Sequence, residues 1–291
     1  MLFHKNWAGK IGKSKKLKMH IRASWVPILG CGFILGVISQ HIQTFRAYTD
    51  NIIKKIEVEK TSVSHFQSKD ETKYQAVVNQ PKSFFHVNRT GYSLAYDASR
   101  RNPHWVYEHL SADSIQVNAN RSHANFKEDD NIPAHLKATL VDYKGFGFDR
   151  GHMAPAADHR SSEKAMSDTF FMTNMCLQCP ELNRGYWSKL EKHVRNLTQK
   201  YNSIHVITGP LYLPYQEADG KRYVKYQVIG PNNVAVPTHF FKVLNLEKKQ
   251  GKSVNIAYIL PNERIDSNVP LEKFQTTVQK VEQAAGIVFT N

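Results

Sequence analysis

Apolar and polar residues alternate in two distinct ways along this chain. Short runs rich in β-branched and aromatic residues, Tyr92 to Tyr96, His104 to His109, Thr169 to Thr173, His205 to Thr208, Tyr223 to Ile229, His239 to Leu244 and Asn255 to Leu260, predict strands. Turn pairs such as Asp219-Gly220 and Gly230-Pro231 punctuate them. Two stretches instead repeat at three and four residues: Trp187, Leu190, Val194, Leu197 and Tyr201 within Gly185 to Tyr201, and Leu271, Phe274, Val278 and Val281 within Pro270 to Ala285. That spacing predicts helices, the second opened by a proline. Together the elements imply an α+β domain, a mixed or antiparallel sheet core with inserted helices. No GxGxxG or Walker loop accompanies the strands, so a nucleotide-cofactor fold has no support.

The pattern changes before residue 84. Ala23 to Phe45 holds no Lys, Arg, Asp or Glu, and Trp25 to Ser39 is strongly apolar. This is near the short end of the roughly 17 to 25 residues that a membrane-crossing helix needs. Lys5, Lys10, Lys13, Lys15, Lys16, Lys18 and Arg22 precede it, with no acidic residue before Asp50. The expected organisation is therefore a basic leader (1–22), a transmembrane anchor or presequence (23–45), a polar stalk (46–83) and a folded domain (84–291). A basic, acid-free leader suits mitochondrial import; a secretory signal anchor and a merely buried core helix are the alternatives.

Charge and cysteine content narrow the function. The formal net charge of +14 points to a polyanionic partner, nucleic acid or an anionic membrane surface. Three cysteines make no disulfide framework, and Cys176 and Cys179 have no second pair with which to form a zinc site. They read as reduced, half-buried thiols.

The segment richest in chemistry runs from Phe148-Asp149-Arg150-Gly151-His152 through Asp168 to Asn174 and ends with Leu182-Asn183-Arg184-Gly185-Tyr186-Trp187-Ser188-Lys189-Leu190-Glu191. Phosphodiester cleavage needs an attacking water, a base, positive charge on the phosphorane and a metal for the leaving oxygen. His152 can be the base, its tautomer fixed by a neighbouring acceptor. Arg150 offers a planar donor fork for phosphate. Magnesium keeps most of its waters, so the single amide oxygen of Asn183 is a sensible ligand, with Glu191 about two helical turns further on. Asn174, expected at the end of a strand, is a third polar group. Each residue also has a plain alternative: an Asp149-Arg150 turn pair, Asn183 as a helix N-cap, Glu191 as a solvated helix charge, His152 as one of fourteen histidines.

The segment DRGHMAPAADHRSSEKAMSDTFFMTN, followed by LNRGYWSKLE, resembles the signature of the DNA/RNA non-specific endonuclease family, in its mitochondrial endonuclease G and exo/endonuclease G-like branch. HWVYEHLS, VITGPLYLP, YQVIG and VAVPTHFFKV extend the likeness more loosely. The resemblance implies a ββα-metal motif, with His152 as general base, Asn183 as magnesium ligand (manganese substituting), and Arg150, Asn174 and Glu191 contacting phosphate or positioning metal-bound water. It also implies DNA and RNA as substrates, a homodimer, and the mitochondrial inner membrane, facing the intermembrane space. Cys176-Leu177 stand where the family usually has Ala-Pro. The chain ends soon after the core, without the extra helical region of the exo-like branch, which favours endonuclease action. A membrane-tethered nucleic-acid binder that has lost turnover is the second expectation.

Overall fold

The computed structural model describes residues 83–121, 124–248 and 251–289; the basic leader, the apolar segment 23–45 and the stalk up to residue 82 lie outside them. In chain order the elements are β1 (Phe84–Asn88), β2 (Tyr92–Asp97), β3 (Asn102–Leu110), β4 (Asp149–His152), α1 (Glu163–Asp168), β5 (Met175–Gln178), α2 (Ser188–Leu197), β6 (Ser203–Leu211), β7 (Tyr215–Gln216), β8 (Arg222–Tyr223), β9 (Val228–Ile229), β10 (Val234–Ala235), β11 (His239–Glu247), β12 (Ser253–Pro261), β13 (Gln275–Thr276) and α3 (Val278–Ala285). Seven strands form one sheet in the order β1-β2-β3-β6-β11-β12-β13, and every pairing in it is antiparallel.

Alternation along each strand gives this sheet two apolar faces. Leu94, Val106, Ile204, Val206, Phe240, Leu244 and Leu260 meet Trp187, Leu190 and Val194 from α2 and the turn before it. On the opposite face Leu211, Phe241, Val243 and Ala257 meet Val281 of α3. The first face also carries polar residues: Glu108, Thr208 and Lys242 are buried there, between the sheet and the layer containing α2. That layer includes a two-stranded ribbon, β4 against β5, in the register His152↔Met175, Gly151↔Cys176, Arg150↔Leu177 and Asp149↔Gln178.

Three expectations are corrected. Pro270 to Ala285 is not one helix but a 3-10 turn (Leu271–Phe274), β13 and α3. Leu271 and Phe274 pack into the first core, and Val278 and Val281 into the second. The helical spacing thus joined residues serving opposite faces, while Thr277, whose Oγ1 accepts from Lys280 N at 3.2 Å, marks where the helix begins. Thr169 to Thr173 is not a strand: Phe171 makes a single parallel bridge to Lys127, and Met172–Asn174 is a 3-10 turn, so Asn174 precedes a strand instead of ending one. Tyr223 to Ile229 is extended only at its ends, with Val224, Lys225, Tyr226 and Gln227 exposed between them. Cys176 and Leu177 lie fully buried in β5, and both described cysteines are free. Among the described residues no helix is long and apolar enough to cross a membrane.

Candidate active site

The ribbon presents β4 to a cavity of about 490 Å³, whose lining includes Arg121, Phe126, Asp149, Arg150, His152, Asn183, Glu191 and Arg195. Residues two apart on a strand share a face, which puts Arg150 and His152 side by side. Gly151 between them has no room for a side chain: a Cβ there would lie 1.9 Å from Gln178 Oε1.

Ring packing, not a hydrogen bond, holds His152. Phe170 meets it edge-on at 4.9 Å and Phe126 lies tilted at 5.7 Å. Phe126 is brought there by the Lys127–Phe171 bridge, in which Lys127 N donates to Phe170 O at 3.1 Å and Met172 N to Lys127 O at 2.8 Å. The expected acceptor that would fix the tautomer is absent among the described residues, and Nε2 is buried without a hydrogen-bond partner. Burial, reinforced by the charges of Arg121 and His159, lowers the imidazole to about 3, so the folded protein carries His152 neutral at physiological pH.

Asn183 is not an N-cap. Its backbone N–H donates to Cys179 O at 2.9 Å, which places it inside the helix. It lies on a π-helical turn, Leu182–Trp187, that runs into α2. Eight residues of ideal α-helix overshoot two turns by about 80°; the wider π-helical turn takes up part of this and leaves Asn183 and Glu191 on one cavity. The Asn183 amide nitrogen donates to Asp149 Oδ2 at 2.8 Å. A carboxylate only accepts, so this bond fixes which end of the amide faces Asp149 and leaves Oδ1 as the free end.

Asp149 does not pair with Arg150. It takes a bidentate fork from Arg184, Nε to Oδ2 at 2.8 Å and NH2 to Oδ1 at 2.6 Å. Burial alone would raise its carboxyl, but the hydrogen bonds from Arg184 and Asn183 outweigh it and hold the group below the usual range. Arg150 keeps only a 3.4 Å bond to Leu140 O and a cation–π contact with Phe126, its guanidinium carbon 5.0 Å from the ring centroid. Neither Arg150 nor Arg121 has an ion-pair partner among the described residues, although Arg121 lies 5.6 Å over Phe170.

Glu191 is half-buried in the wall, not solvated. Burial pushes its carboxyl up to about 8, with Lys242 pulling the other way. One turn on, Arg195 lines the same cavity and pairs with Asp158 at 2.5 Å.

Asn174 is not in the lining. It is fully buried, its Oδ1 accepting from Ala154 N at 2.9 Å and its Nδ2 donating to Ala154 O at 3.0 Å and Thr169 O at 2.8 Å. These bonds pin the backbone two residues beyond His152. Arg150, His152, Asn183 and Glu191 thus share one cavity, with Asn174 behind them. Arg121 went unseen because it lies in a polar loop with no periodicity; Arg195, four residues after Glu191, was legible from helix spacing.

A family profile for DNA/RNA non-specific endonucleases matches residues 70–291. The chain belongs to that family. Among members of this nuclease family, it is 50% identical over 202 residues to endonuclease G, mitochondrial, of Bos taurus, spanning 69% of this chain and 68% of the relative. It is 42% identical over 203 residues to nuclease EXOG, mitochondrial, of Homo sapiens, spanning 69% and 55%. A crystal structure of the EndoG/EndoGI complex contains a chain that superposes with a TM-score of 0.70 at 44% identity, covering 72% of this chain and 86% of that one. The recurring α+β fold with its large antiparallel sheet is that of the endonuclease family.

The family's magnesium fits this donor set. No cluster of three or more His, Cys, Asp or Glu among the described residues is placed to hold an ion. A hard dication that keeps its waters and takes one or two protein oxygens suits the free Asn183 Oδ1 and the nearby Glu191 carboxylate.

Proposed function

We propose that this endonuclease-family chain hydrolyses phosphodiester bonds in DNA and RNA without sequence preference, magnesium-dependently and by internal cleavage. The observation that carries this reading is the buried His152 Nε2, neutral and without a partner, in one cavity with Asn183, Glu191 and two unpaired arginines.

His152 Nε2 takes the proton of the attacking water. Its proton affinity, lowered by burial, rises once a phosphate brings negative charge beside it. Arg150 and Arg121 meet the phosphate oxygens and stabilise the charge that grows there in the transition state. Asn183 would hold magnesium through Oδ1, and Glu191, ionised once the cation's charge offsets its burial, would orient the ion's waters; the ion, when bound, would supply charge for the leaving oxygen. Asp149 keeps the Asn183 oxygen pointed outward, and Asn174 positions the strand end that carries His152. Manganese would serve the same oxygens.

The names of the relatives and the basic leader support a mitochondrial location. Within it we propose the inner membrane, with the folded domain in the intermembrane space and residues 23–45 as anchor, a secretory-pathway membrane being the alternative. Protease protection in isolated mitochondria tests this placement. We also propose a homodimer, which light scattering would detect. No observation favours the inactive tethered binder.

The experiment is cleavage of closed circular DNA by the full chain in magnesium, beside His152→Ala and an EDTA control. Nicking and linearisation lost in both controls are expected. Cleavage of linear DNA alone would shift the reading to end-directed action, and binding without any cleavage of DNA or RNA would overturn it.

A further inference from the structure

One loop beside the cavity is explained by none of the residues above. Tyr143 and Phe148 both line it, and the chain between them, Lys144-Gly145-Phe146-Gly147, is exposed. The base of this loop is fixed: Tyr143 OH donates to Met175 O at 3.2 Å, and buried Asp142 accepts from Thr139 N at 2.7 Å, Asn232 N at 2.9 Å and Asn232 Nδ2 at 3.0 Å. Phe148 packs against the apolar cluster of Tyr143, Met175 and Leu177.

The tip is different. Gly145 and Gly147 have φ of +86° and +80°, backbone that side chains rarely adopt, and a Cβ on either would meet nothing within 4 Å. They hold Phe146 out with 45% of its surface exposed and no aromatic or cation partner among the described residues. Lys144, two residues before, has no ion-pair partner among them either. A single exposed apolar residue is ordinarily unremarkable. Here the ring and the free cation stand on a braced loop whose two ends, Tyr143 and Phe148, line a phosphodiester-cleaving cavity.

A nucleic-acid strand offers both a base face and a neighbouring phosphate, and aromatic stacking accepts any base. Building on the nuclease reading, we infer that Phe146 stacks a base flanking the scissile phosphodiester, with Lys144 on an adjacent phosphate. A base inside a duplex has both faces covered. The loop therefore favours strands whose bases are free to leave the stack: single strands, looped RNA and distorted or nicked duplexes.

The test uses the full chain in magnesium and single-stranded hexamers in which one linkage is an ordinary phosphodiester and the rest are phosphorothioates, which keep their charge but resist cleavage. In one set every nucleotide carries its base; in others the base on one side of the cleavable linkage is removed. Phe146→Ala should lower kcat/KM on the all-base strand roughly fivefold or more, and Phe146→Tyr should retain it. Removing the flanking base should cost the unaltered chain a similar factor and cost Phe146→Ala little, because ring and base act as a pair. Equal cleavage of the all-base strand by the chain and Phe146→Ala, or losses that simply multiply, would overturn the stacking while leaving the nuclease reading intact. A chain that cleaves no hexamer and no longer DNA would overturn both.

Discussion

His152 and His159 stand at two ends of one short segment, the first in the cavity wall and the second in the layer behind it. His159 Nε2 meets Glu108 Oε1 at 2.9 Å, and the ring packs so closely on Gly91 that a Cβ there would lie 2.2 Å from Nδ1. Burial alone would lower His159, but the hydrogen bond and charge of Glu108, with the charge of Asp158, outweigh it and raise the imidazole. His152 is half-buried, packed against Phe126 and Phe170 with no carboxylate, and goes down to about 3. The contrast extends to their surroundings. Behind the cavity, Asp158 pairs with Arg195 and Lys242 Nζ donates to Thr208 Oγ1 at 2.6 Å. In the cavity, Arg121, Arg150 and His152 Nε2 are left without such partners. Paired charge braces the site, and unpaired polar groups are where an incoming phosphate would complete the set.

Substitutions on the two sides should therefore fail differently. His152→Ala should lower the cleavage rate about 10²- to 10⁴-fold, the range for a lost general base, with the melting temperature almost unchanged. An unaltered rate in steady-state assays would remove His152 from that role. Glu108→Ala leaves His159 buried without its partner and should cost about 3–5 kcal/mol of stability in urea denaturation, while the surviving folded fraction keeps its kcat. Asp149→Ala frees the Asn183 amide to turn and should raise the magnesium needed for half-maximal rate about 10- to 100-fold, as for other residues that orient a metal ligand; an unchanged magnesium titration would show that Asp149 does not set the amide.

The smallest effect is a pH slope. Between the ordinary histidine value of 6.5 and about 3, the unfolded chain takes up a proton at residue 152 that the folded chain refuses. Stability should therefore fall as pH drops through that window. His152→Gln should flatten this slope relative to the unaltered chain in urea titrations at stepped pH. Parallel slopes would mean that His152 ionises freely in the folded state.

The long strands and the helix carrying Glu191 were legible because period-two and three-to-four spacings follow directly from backbone geometry. The failures are equally physical. Thr169 to Thr173 is as apolar as a strand, yet it finds only one backbone bridge and turns so that Asn174 can hold Ala154. Leu271 and Val278 fit one helical stripe in sequence, but lie on opposite faces of the sheet.

By itself the sequence determined which groups could do the chemistry: a histidine, an amide oxygen, a carboxylate and an arginine in three short segments. It also determined where β4 would alternate, because side-chain direction along a strand is local. Only the tertiary structure decided which of these groups stay unpaired. Asp149 chooses Arg184, 35 residues away, over adjacent Arg150. Arg121 reaches the cavity from a loop with no pattern, and Asn174 is withdrawn behind it. Hydrogen-bond partners and desolvation depend on what packs against a residue in space, and the residues that pack here lie tens of positions apart in the chain.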